Sequence, residues 1–175
     1  MIQTVTKRRR MNRLIRGFTL IETIIVLVIL VIIAAIVIPM QGSVRQARLE
    51  AAGRLVIADI EFARTRSLGT AADPCVVVFD VPTNSYHLAL QSNPLVPITN
   101  PISGEPYERQ FGKNDAAGMN GVVIESVNVI GGQLLEFNSA GLHDQLIDVE
   151  IEISYDDRSL VVLIDKEIGR VTIAP

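Results

Sequence analysis

Cysteine, tryptophan and histidine are the residues this 175-residue chain has least of. Cys75 is the only cysteine, so no disulfide can form within the chain and no multi-cysteine metal site exists. His87 and His143 are the only histidines, and each stands alone in sequence, away from any nucleophile and acid that would complete a triad. Tryptophan is absent and aromatic residues make up 5%, which is thin for a surface that stacks sugars or bases. No Walker loop, dinucleotide fingerprint or H-E-x-x-H pair occurs. Asn138-Ser139-Ala140-Gly141 reads as a turn rather than a nucleophile elbow. Cys75 opens an apolar strand and reads as a small buried hydrophobe. Asp144, Asp148, Asp156 and Asp157 read as solvated turn and edge charges, without a clear ligand cluster. These absences exclude the common enzyme classes, and neither a cofactor nor a metal is expected.

What is present is unevenly placed. Residues 1–17 hold Lys7, Arg8, Arg9, Arg10, Arg13 and Arg16 and no acid, a charge of +6. The remainder carries 10 basic against 19 acidic residues, hence −9. Directly after the basic block comes Phe18 to Ile38, 21 residues of almost continuous Ile, Val, Leu and Ala. As a helix that run spans ~32 Å, enough for the hydrocarbon core of a bilayer. A cleaved secretory signal has a shorter apolar region and a small-x-small site, so this run is expected to be retained. Positive charge beside a membrane segment stays on the cytoplasmic side, which puts the N-terminus inside and the acidic remainder outside. The alternative for the basic block, a nucleic-acid arm, fits its position poorly, and the −9 remainder speaks against direct nucleic-acid contact.

Glu22 interrupts the run. An acid inside a membrane helix costs roughly 2.5–3.5 kcal/mol on insertion scales, so such residues usually have a partner and a function. Near a helix end the other reading is a carboxylate that snorkels to the headgroups.

Arg16-Gly17-Phe18-Thr19-Leu20-Ile21-Glu22, with a basic leader before it and an apolar helix after it, resembles the type IV prepilin signal. That family includes type IV pilins and the pseudopilins of type II secretion systems. The resemblance implies cleavage between Gly17 and Phe18 by a prepilin peptidase and methylation of the new Phe18 amine. It also implies that Pro39 kinks or loosens the helix, and that Glu22 pairs with the Phe18 amine of a neighbouring subunit to set filament register. A buried pair is much less costly than either charge alone.

Helical character continues past Pro39 to about Leu68. Val44, Ala47, Ala51, Leu55, Ala58 and Phe62 recur at spacings of three and four and define the expected core-facing stripe. Arg45, Arg48, Glu50, Arg54, Asp59, Glu61, Arg64 and Arg66 are expected on the remainder, and Gly42 and Gly53 weaken the helix. Gly69 to Pro74 stops it. Strands are expected at Cys75–Val81, Tyr86–Leu90, Val122–Ile130, Gln133–Phe137, Ile147–Tyr155, Ser159–Ile164 and Ile168–Ile173. Hairpin turns are expected at 82–85, Gly131-Gly132, Asp156-Asp157 and Lys166-Glu167. No helices separate the strands, so the sheets should be antiparallel. Residues 93–121 carry four prolines and four glycines and read as a long surface loop with short strands, functional or mobile.

Leu135-Glu-Phe137-Asn-Ser-Ala-Gly141, the strand Ile147–Ser154 and Gly169-Arg170-Val171 further resemble the minor pseudopilin branch called GspH/FimT. The fold this implies is α+β and pilin-like: a long N-terminal helix, its first half transmembrane, packed on an antiparallel β domain. The expected organisation is a leader at 1–17, a membrane or filament-core helix at 18–38, its amphipathic continuation at 39–68 and a periplasmic β domain at 69–175. Major pilins usually close a loop with a disulfide, and major pseudopilins tend to carry a calcium loop. Neither is legible here, which favours a minor subunit. The implied role is to initiate or cap a filament at the bacterial inner membrane. Its expected partners are the prepilin peptidase, other major and minor pseudopilins and the inner-membrane assembly platform. The alternatives are a minor type IV pilin that primes pilus assembly or DNA uptake, and a plain single-pass anchored binding module.

Overall fold

The computed structural model describes residues 19–70, 72–130 and 132–174, and their side chains except those of residues 35–43 and 115. The chain divides into two compact units, Met1–Gln41 and Gly42–Pro175. One α-helix, α1, runs from Leu20 to Gly69. Among the described residues nine strands follow: β1 (Cys75–Asp80), β2 (Ser85–Leu90), β3 (Asn93–Pro97), β4 (Glu108–Gln110), β5 (Val123–Val127), β6 (Leu134–Glu136), β7 (Val149–Tyr155), β8 (Arg158–Ile164) and β9 (Val171–Ile173). A 3-10 helix at Asn114–Met119 lies between β4 and β5. This is the pilin-like α+β arrangement expected from the sequence.

The strands form two antiparallel sheets. The first has the order β3-β2-β1-β6, with β4 also paired to β2, and the second has the order β5-β7-β8-β9. Cys75 to Asp80 pair in unbroken register with Leu90 to Ser85, and Val149 to Tyr155 with Ile164 to Arg158. The long loop at 93–121 is more ordered than a surface excursion: β3 and β4 both extend along β2. Pro94 and Pro97 fit there because β3 is an edge strand, where a missing N–H is tolerated.

Two expectations need correction here. The hairpin expected at Gly131-Gly132, of which Gly131 lies outside the described residues, does not join β5 to β6, because β5 pairs with β7 while β6 pairs with β1. The chain changes sheets between them. Alternating apolar residues show that a segment is a strand, but they carry no information about its partner.

The second correction is the buried face of α1. Leu49, Ala52, Val56, Ile60, Ala63 and Ser67 are all but inaccessible and form the true stripe, at spacings of three and four. Val44, Ala47, Ala51 and Ala58 are exposed, and Leu55 and Phe62 sit half-buried at the margin. The core face is therefore rotated by about one residue, ~100°, from the expected one. Burial rewards large side chains: Leu49, Val56 and Ile60 remove more apolar surface from water than the alanines of the other stripe. The polar members of the true face, Asp59 and Ser67, disguised it. Gly53 also lies on it, close against β8. A Cβ there would come within 2.9 Å of Leu160 Cδ2 on β8.

The core joins this face of α1 to both sheets through Phe79, Tyr86 and Leu88 of the first and Ile124, Ile151, Ile153 and Val162 of the second. Asn84, at φ +56 in the β1–β2 turn, ties the sheets together. Its side-chain amide donates to Val122 O at 2.7 Å, and its carbonyl accepts from Ile124 N–H at 2.8 Å.

Candidate functional site

The N-terminal segment is the expected site. Gly17 and Phe18, the expected cleavage junction, lie outside the described residues. Thr19 precedes α1, and its Oγ1 accepts the Glu22 backbone N–H at 3.3 Å. Thr19 O accepts Thr23 N–H at 3.2 Å. Thr19 is therefore the N-cap, and Glu22 stands three residues on, the spacing of a capping box. An acid in the first turn also complements the positive end of the helix dipole. Sequence reasoning weighed Glu22 as a membrane charge and missed Thr19 as the cap of the helix that carries it.

From Leu20 to Ala34 every residue is exposed, including Ile21 at 67% and Val31 at 68%. A helix apolar on all sides has no face to turn to water, so this surface calls for a lipid or protein environment. Among the described residues no helix is long and apolar enough to cross a membrane. Pro39 lies within α1.

The two short motifs that carried the second resemblance meet in space. Gly141 and Gly169 have φ of +74 and +64, and a Cβ on Gly169 would collide with the Gly141 carbonyl oxygen. Arg64 of α1 holds both turns, donating from Nε to Gly141 O at 2.9 Å and from Nη2 to Ile168 O at 3.1 Å. Asn138 caps the first turn through Oδ1, which accepts from Ala140 N–H at 2.9 Å and Leu142 N–H at 3.1 Å. Asp165 caps the second, accepting from Glu167 and Ile168 at 2.8 and 2.9 Å. The Ile168 N–H bond is the chief cause that keeps the Asp165 carboxyl below its ordinary range. These motifs are joints between α1 and the β domain.

A buried polar cluster went unseen in the sequence. Asp59, 3% exposed, accepts from Tyr86 Oη at 2.7 Å and Tyr107 Oη at 2.9 Å, and pairs with Arg109 Nε at 3.1 Å. Its expected place on the solvated side of α1 is thus overturned. Phe62 stacks on Tyr107 with centroids 5.2 Å apart, and the Arg109 guanidinium lies 5.1 Å from the same ring. Burial, then the Asp59 carboxylate, pushes Tyr107 up to about 12 and Tyr86 well above the usual phenol range. Two hydroxyls and a guanidinium satisfy one carboxylate, which is the condition for burying a charge without a large penalty. The cluster anchors the segment around β4 to α1.

The remaining candidates are structural in their contacts. Cys75 is inaccessible, and burial pushes its thiol up to about 11, so it is the buried hydrophobe expected. His87 Nε2 donates to Pro94 O at 2.8 Å and fixes the edge strand β3. His143 Nδ1 accepts Gln145 N–H at 3.2 Å, while its buried Nε2 has no partner among the described residues. Asp156 pairs with Arg45 at 3.2 Å, and Asp148 Oδ1 accepts Lys166 N–H at 2.9 Å. Among the described residues no group of three or more His, Cys, Asp or Glu could hold a metal ion.

Residues 12–38 match the family described as the prokaryotic N-terminal methylation motif. Comparison with curated proteins found no match. Two crystal structures of the type IV minor pilin FimU of Pseudomonas aeruginosa are similar in fold, each at 13% identity. One, in space group P21, has a TM-score of 0.51 and covers 74% of this chain and 90% of FimU. The other, in space group P65, has a TM-score of 0.49 and covers 73% and 93%. The chain thus combines a type IV prepilin-like N-terminus with a pilin-like fold.

Proposed function

We propose that the chain is a minor pseudopilin, a structural and assembly subunit that helps initiate or cap a type II secretion pseudopilus at the inner membrane. The observation that carries this reading is the methylation motif at 12–38 continuing into a helix that bears a pilin-like domain. On this reading prepilin peptidase cuts between Gly17 and Phe18 and methylates Phe18. All six leader charges are lost, and the apolar run is left to anchor the subunit and to pack among its neighbours. The acidic domain lies in the periplasm, and assembly brings in other pseudopilins and the inner-membrane platform. Glu22 then has two uses: it complements the N-terminus of its own helix, and it pairs with the Phe18 ammonium of the adjacent subunit.

The likeness in fold to a minor pilin supports a second reading, a minor subunit that primes a type IV pilus. Mass spectrometry of the mature N-terminus tests what the two share. The expected result is N-methylated Phe18, while an intact Met1 or a cut after the apolar run would leave an ordinary anchored module. Deleting the gene and scoring secretion against piliation separates the two machines. Loss of secretion with normal pili is expected here.

A further inference from the structure

Between β3 and β4 the chain turns out and back as a small hairpin. Tyr107 N–H donates to Ile98 O at 2.7 Å, Asn100 N–H to Glu105 O at 2.8 Å and Gly104 N–H to Asn100 O at 2.9 Å. Asn100 is 5% exposed, and its Oδ1 accepts from Ile102 N–H at 2.9 Å. The base is fixed as well: Ile98 N–H donates to Leu88 O, Leu88 N–H to Tyr107 O, and the Tyr107 hydroxyl to Asp59. This rigid tip nonetheless holds Ile102 at 95% exposure, and Leu95 and Val96 on the neighbouring edge strand stand at 85% and 55%. One exposed apolar residue is ordinary, but Ile102 stands on a preorganised tip next to the exposed Leu95, a knob whose docking costs little ordering entropy.

Beside the knob lies an open groove of about 370 Å³, floored by Leu90, Val96, Pro97 and Ile98, with Arg66 of α1 at its rim. We propose that the Ile102 knob of one chain docks in this groove of a second copy. Charge supports that occupant: Glu105 is exposed beside Ile102, and docking brings it to the exposed Arg66 of the other chain. A lipid surface fits less well, because residues 99–106 carry no Lys, Arg, Trp or Tyr to hold headgroups and do carry an acid. Strand addition along β3 is blunted by Pro94 and Pro97, which remove donors from that edge. The contact is therefore made by side chains.

The test uses two tagged full-length chains coexpressed in membranes, one with Ile102→Cys and the other with Asn93→Cys at the groove. Cys75 is inaccessible and stays silent. Mild oxidation is expected to give an inter-chain disulfide. Arg66→Glu in the second chain should lower its yield at least roughly tenfold, and Glu105→Lys in the first should restore it. All four positions are exposed, so the domain fold is not at stake, and α1 from Leu20 to Ala34 is unchanged. Association through that run persists, so this result is separable from the proposed filament role. No disulfide, or a yield indifferent to the charge reversals, overturns the proposal. Labelling of Ile102→Cys by a lipid-soluble maleimide in place of the disulfide also overturns it and assigns the tip to the bilayer surface.

Discussion

The two stretches of α1 make an instructive pair. From Leu20 to Ala34 the helix is apolar almost everywhere and exposed everywhere. From Val44 to Gly69 it is mixed in composition and buried along one stripe. In the first stretch rotating the helix changes nothing, because every side looks alike. In the second, rotation by one residue decides whether Ala58 or Asp59 meets the core. Uniform composition makes a region legible without its partners, whereas a mixed one is settled by what packs against it.

The largest effect is expected in the uniform stretch, where one charge stands out. If Glu22 pairs with a neighbour's Phe18 amine, Glu22→Val leaves that amine alone in an apolar bundle. Loss of a buried partner costs roughly 3–5 kcal/mol, about a hundred-fold to a few thousand-fold in an association equilibrium. Both Glu22→Val and Glu22→Gln are expected to be cut after Gly17 and then to cross-link poorly to companion subunits. Gln keeps the size and polarity of the side chain without its charge, so normal recruitment of Glu22→Gln would remove charge pairing from the role of Glu22.

In the one-sided stretch Asp59→Ala should be severe. It removes the buried carboxylate that two tyrosine hydroxyls and the half-buried Arg109 share, and roughly 1–3 kcal/mol of stability is expected to go for the hydroxyls left without an acceptor. Chemical denaturation would show this as a lower midpoint. An unchanged midpoint would mean that the cluster is not what fixes this face.

The same cluster gives a smaller effect at high pH. Burial and the Asp59 carboxylate push Tyr107 from the ordinary phenol value of about 10 up to about 12, and Tyr86 is shifted in the same direction. The folded state holds these protons more tightly, so their stabilisation is complete below pH 10 and is lost as pH rises from 10 towards about 12. Thermal midpoints should fall across that window, and less steeply in Tyr107→Phe. Equal slopes would remove the tyrosines from the account.

The smallest effect is expected one residue from Asp59. Ala58 is exposed, so Ala58→Asp should change stability by no more than about 0.5 kcal/mol. A loss comparable to that of Asp59→Ala would return the core to the stripe expected from spacing alone.

Much of the fold could be read in advance because it rests on local chemistry. Asp156-Asp157 turns β7 into β8 where expected, with Asp156 at φ +54. The strand from Cys75 and its partner to Leu90 fall within a residue of their expected bounds. The prepilin-like N-terminus is legible for the same reason, since Gly17, Phe18, Glu22 and the apolar run act through their own chemistry and order. By itself the sequence determined the long helix, the antiparallel strands and a segment too apolar for water. Only the tertiary structure decided that β5 and β6 part to different sheets, that Gly141 and Gly169 meet under Arg64, and that Asp59 faces inward. Each of these depends on residues distant in sequence. A carboxylate is buried only where Tyr86, Tyr107 and Arg109 converge to satisfy it, and no local pattern announces that convergence.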